Sequence, residues 1–125
     1  MRVAEIKWFD TGGDEAEVKV VSEVNESLEC WAFCHPCTLD LGTQLVEPLF
    51  SLDAKVRTSS NQESSIVKNG KQPWSYVVVG QLIDAVNGLV AIADIRLEVG
   101  QEAVPGDVST GDWVECVCSR VDALG

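Results

Sequence analysis

The sequence predicts an all-β domain built as a small antiparallel barrel of six or seven strands, with one short helix as the alternative over 43–57. Three observations carry that expectation. Apolar residues recur with a period of two, Gly-rich turn signals come at short intervals, and no segment sustains a helical period. At 125 residues, with 46% apolar and 23% charged residues, the chain fits one domain, 1–125, with a core of ordinary size.

RVAEIKWF alternates, with Ala4, Ile6 and Trp8 on one side, and Asp10 to Asp14 reads as a turn around adjacent glycines. EVKVVSEV (17–24) alternates again and sets Val18 and Val20 on one face. SLECWAFC (27–34) is strongly apolar and stops at His35-Pro36, because proline cannot donate to a sheet ladder. TQLVEPLFSLDAKVR (43–57) restarts after Gly42, and Pro48 marks an edge or bend. Residues 58–73, TSSNQESSIVKNGKQP, are polar and predict a long loop.

WSYVVVGQLIDAV and LVAIADIRLEV flank Asn87-Gly88, a strong hairpin signal because a type I′ turn needs positive φ at both central residues. A two-residue turn there sets Val86 opposite Leu89 and fixes the register. One face then collects Val78, Gly80, Leu82, Leu89, Ala91, Ala93, Ile95 and Leu97 as core. The other collects Val77, Val79, Ile83, Val90 and Ile92, with Gln81 opposite Asp94. That second face is half apolar, which predicts an interface covered by a partner, by a second copy or by the chain itself. WVECVCSRV closes the chain, with Val114, Cys116 and Cys118 on one face. From Tyr76 to Leu124 the chain resembles the last strands of an OB-fold-type barrel: a strand carrying Gly80, a hairpin to LVAIADIRL, then Gly111-Asp112-Trp113-Val114 leading into a closing strand. The resemblance is one of architecture and implies, by analogy, a face for an oligonucleotide or oligosaccharide.

A net charge of −11, with 20 acids against 9 bases, argues against nucleic acid as the default partner, since phosphate binding depends on Lys and Arg displacing counterions. Residues 54–83 run against the trend with four bases and one acid. Lys55, Arg57, Lys68 and Lys71, interleaved with Trp74 and Tyr76, form the candidate binding constellation, by charge and stacking for a single strand or by charge for an acidic protein. The N-terminal residues lack a signal-peptide core and no apolar run reaches membrane-spanning length, so a cytoplasmic location with no membrane partner is expected, and the five cysteines read as reduced thiols.

Cys30, Cys34 and Cys37 crowd around the only histidine, His35. Cys34, His35 and Cys37 are the set that a turn at Pro36 could gather for zinc or redox chemistry, but a closed zinc site needs four ligands and the paired knuckles are missing. Buried thiols are the stronger expectation, with Cys30, Cys116 and Cys118 on inward faces. No phosphate loop, dinucleotide fingerprint, EF-hand or nucleophile elbow occurs, so no catalytic residue, cofactor or metal is assigned. The functional expectation is a non-enzymatic interaction or regulatory domain whose acidic surface suits a basic protein or self-association. The alternatives are an OB-like binder of single strands or small ligands, and a zinc- or redox-responsive protein.

Overall fold

The computed structural model describes residues 1–10 and 12–125. Eleven short strands follow one another: β1 (Arg2–Trp8), β2 (Ala16–Val21), β3 (Glu29–Cys34), β4 (Leu49–Leu52), β5 (Lys55–Thr58), β6 (Ser65–Lys68), β7 (Tyr76–Asp84), β8 (Leu89–Ile92), β9 (Ile95–Glu98), β10 (Trp113–Cys118) and β11 (Arg120–Ala123). Among the described residues the helical content is a single 3-10 turn, Gln101–Ala103. The chain is all-β, as its alternation requires.

The strands join in one sheet in the order β1-β2-β3-β11-β4-β9-β8-β7-β10-β5, and β6 adds to β7. The sheet is open, with β1 and β5 at its ends, so the expected closed barrel is not what forms. Nor is it wholly antiparallel: β11 runs parallel to β3, and β4 parallel to β9. Nine-residue β7 is the organiser. β10 lies along one side of it, while β6 and β8 share the other side, end to end. Residues 42–45 add a further rail, hydrogen-bonding Val3 and Met1 at the outer edge of β1. The 43–57 stretch therefore supplies β4 and β5 and no helix, and the polar 58–73 segment contains β6.

The hairpin at Asn87-Gly88 departs from the expected register. Asp84 pairs with Leu89, Leu82 with Val90 and Gln81 with Ala91, with a bulge between Leu82 and Asp84. The reason is local chemistry. The Asp84 carboxylate accepts the backbone N–H groups of Val86 and Asn87 and the Asn87 side-chain amide, which widens the turn to residues 85–88. An odd register shift exchanges the two faces of a strand. Val90 and Ile92, expected on an open interface, are 0% and 1% exposed and belong to the core, while Ala91 turns outward. LVAIADIRLEV is also not one strand. It folds back at Ala93-Asp94, pairing Ile92 with Ile95, and Ala93 takes a φ of 54° to do so.

The core is aliphatic and thiol-rich. Val3, Val18, Val20, Val78, Leu82, Val90, Ile92, Ile95, Val114 and Val121 fill it together with Leu49 and all five cysteines. Gly80 is needed in β7 because a Cβ there would lie 2.5 Å from the Ala91 carbonyl oxygen. Tyr76 is the only aromatic residue in this core. The four tryptophans and three phenylalanines all lie outside it. None of the helical residues forms a segment long and apolar enough to cross a membrane.

Candidate functional site: an aromatic sheet face

Five of the displaced aromatics, Phe9, Trp31, Phe33, Phe50 and Trp74, gather on the outer face of β1, β2, β3, β11 and β4, while Trp8 pairs with inward-pointing Ala16 and Trp113 stands apart on β10. In β3 the small residues Cys30, Ala32 and Cys34 point inward, so Glu29, Trp31 and Phe33 point outward. The registers then assemble rows across the sheet. Lys7 lies beside Glu17, Glu17 beside Phe33, Phe33 beside Asp122 and Asp122 beside Phe50. A second row runs Glu5, Lys19, Trp31. Beyond the end of β1, Phe9 stacks on Phe33 with ring centroids 5.9 Å apart, and Trp74, from the loop before β7, meets Phe9 edge-on at 6.5 Å. The indole N–H of Trp74 donates to Glu17 at 2.8 Å, which fixes that ring over the sheet. Phe9 and Trp74 remain 43% and 38% exposed.

The cations of this face already have partners. Lys7 sits 4.5 Å above the Trp31 ring and Arg120 4.7 Å above the Phe33 ring. Arg120 also makes a two-pronged pair with Asp122, at 2.7 and 2.9 Å, and Lys19 lies between Glu29 and Glu5. These hydrogen bonds to carboxylates raise the pKa of both Lys19 and Arg120. Asp10, Asp14 and Glu15 are exposed in the connection from β1 to β2 and add negative charge at the rim of the face. A depression of about 360 Å³ lined by Phe33, His35, Phe50, Arg120 and Asp122 continues the face toward β4.

The candidate binding residues of the 55–76 segment do not converge. Lys55 and Arg57 stand on β5, and Lys68 on β6, with β10 and β7 between them. Lys71 lies in the turn after β6, Trp74 joins the aromatic face, and Tyr76 is buried at 3% exposure. The Tyr76 hydroxyl accepts the Trp31 N–H at 2.9 Å, and burial pushes its pKa up. The expected interface divides as well: on β7 Val77 is half-buried and Val79 is buried between β6 and β10, Ile83 is 42% exposed, and Val90 and Ile92 are interior.

At ECWAFCHPC, Cys34 and Cys37 turn inward together, and His35 turns out, its Nδ1 3.4 Å from Asp14 and 3.7 Å from Glu15. Burial, with the neighbouring Cys37 thiol, pushes Cys34 up to about 12, and burial does the same for Cys30 and Cys116. Thiols so placed are protonated and poor nucleophiles. Among the described residues no three His, Cys, Asp or Glu side chains converge as a metal site. Asp94, expected beside Gln81, instead accepts from the Ser22 hydroxyl, the Glu23 N–H at 2.9 Å and the Met1 ammonium at 3.0 Å. Burial opposes its charge, but these donors outweigh it and hold its carboxyl at about 2.

Sequence reasoning passed over Phe9, Trp31 and Phe33. The signal was the alternation in ECWAFC: with Cys30 on an inward face, Trp31 and Phe33 fall on the outward one. In comparisons with protein-family models, curated proteins and solved structures, nothing matches this chain.

Proposed function

We propose that this chain is a non-enzymatic protein-interaction domain, that its contact surface is the aromatic face around Phe9, Phe33 and Trp74, and that the matching surface of its partner is basic. One observation carries the reading: a fold with a single aromatic in its core keeps the others on its outside, and three of them are packed ring to ring on one sheet face. Rigid, half-exposed aromatics are the side chains that dominate binding energy at protein interfaces. Carboxylates around them, in a chain of net charge −11, favour a cationic partner and would speed its approach.

The same rings support a second reading, the OB-like one, in which they stack the bases of a single strand. It is the weaker of the two because Lys7, Lys19 and Arg120 are engaged within the face, leaving little to meet phosphates. A titration with a basic peptide rich in Arg and Leu, followed by amide chemical shifts, separates the two. The expected result is a set of shifts centred on Phe9, Glu17, Phe33 and Trp74, weakened by salt and by Phe9→Ser with Trp74→Ser. Shifts on another face, or none, would remove the proposal. Stronger shifts from a short oligodeoxythymidine would favour the second reading.

A further inference from the structure

β5 is the last strand of the sheet, and among the described residues only β10 pairs with it. Its far edge therefore presents the backbone of residues 55–58 without a neighbouring strand. Val56 points inward at 8% exposure, so the core reaches this edge, while Lys55 and Arg57 point outward. A depression of about 340 Å³ runs beside them, lined by Lys55, Val56, Arg57, Glu115 and Val117. β10 shows what a strand next to β5 looks like. It sets Glu115 against Arg57, hydrogen-bonded through the guanidinium Nε at 2.9 Å, and Cys116 against Val56.

We propose that the free edge of β5 is a second binding site, which takes an extended acidic segment of another protein in which Glu or Asp alternates with aliphatic residues. Such a segment would repeat on the open side of β5 the acid that β10 sets against Arg57, and would place a second acid beside Lys55, which on the closed side faces Val117. Its acids would lie beside Lys55 and Arg57, its aliphatic residues would extend the core at Val56, and its backbone would complete the ladder. Cationic residues on a short edge strand also guard against unwanted pairing. Here they guard selectively. A second copy docked edge to edge would set Lys55 and Arg57 against themselves, whereas an acidic strand meets Lys55 and, beside it, an Arg57 guanidinium that Glu115 partners from the closed side. This site lies apart from the aromatic face and does not depend on its reading.

The test uses a fluorescein-labelled peptide of alternating Val and Glu, with fluorescence polarisation for affinity and amide exchange for location. Binding is expected, with protection of amides in residues 55–58. Lys55→Glu with Arg57→Glu should weaken it by at least about tenfold, and Lys55→Glu alone by less, which keeps the test open if the double variant fails to fold. Backbone N-methylation of the peptide should abolish binding, because it removes the ladder and leaves the charge. No binding, equal binding of a control peptide of alternating Val and Lys or of the N-methylated one, or binding without protection of residues 55–58, would each overturn the proposal.

Discussion

Ser22 and Asp94 stand 72 positions apart and are joined by a hydrogen bond beneath the turn between β8 and β9. The Ser22 hydroxyl is fully buried and itself accepts the N–H groups of Val24 and Asn25, so one serine ties the end of β2 to that turn. Asp94 is the electrostatic centre of this corner. Its folded pKa of about 2 lies below the ordinary 3.8, so the stability it adds is complete above pH 3.8 and is lost as the pH falls through about 2. Asp94→Asn should cost about 2 kcal/mol at neutral pH in urea unfolding, and the gap between variant and parent should close on titration toward pH 2. A gap that stays constant with pH would assign the loss to the turn rather than to the charge. No sequence pattern announces this contact, since it pairs residues from two distant turns.

At the scale of the element, the longer strands were legible, while the short ones and most of the pairings were not. The alternation of VVVGQLI and WVECVC gives the inward faces of β7 and β10 correctly, because each strand has a buried side and an exposed side. The Asn87-Gly88 signal locates a hairpin but not its width, which Asp84 sets through three hydrogen bonds. One polar side chain before the turn thus decides which face of β8 enters the core. β6 escaped notice because SIVK is short and lies within a polar stretch. Close packing at the centre of β7 yields a direct test. Gly80→Ala would drive a methyl group into the Ala91 carbonyl and crowd Val90 and Ile92, and should destabilise by about 2–3 kcal/mol in a denaturant titration. An unchanged midpoint would mean that β8 can retreat from β7, contrary to the tight pairing seen here.

Over the whole molecule, the distribution of side-chain types inverts the usual one, and the inversion explains why the candidate site was hard to read. Composition reports how many aromatics a chain has, and only the fold reports that they are outside. The interior they leave is filled by valine and by five thiols. Burial raises Cys30, Cys34 and Cys116 from 9.0 to about 12 and raises Cys118 as well. A thiol whose folded pKa is raised stabilises fully below pH 9, and that contribution fades as the pH rises toward 12, because the unfolded chain ionises first. The protein should therefore unfold cooperatively on alkaline titration above pH 9, and Cys116→Ala should shift that transition upward relative to its neutral-pH stability. Native protein at neutral pH should react with a thiol reagent only at the rate at which it opens, and all five cysteines should react in denaturant. Fast labelling of any one of them in the native state would locate a mobile wall in the core.

The aromatics on the surface also set what light can report about this chain. Trp8 and Trp74 are exposed and Trp31 and Trp113 half-buried, so every indole is at least partly in contact with water before the chain unfolds as well as after it. Tryptophan emission should shift only modestly through the unfolding transition, and the near-ultraviolet dichroism should come mainly from the rings held in fixed geometry, Tyr76 in the core and Trp74 at Glu17. A spectroscopist following tryptophan would see a protein that changes only modestly as it melts, and that responds brightly when something covers one face.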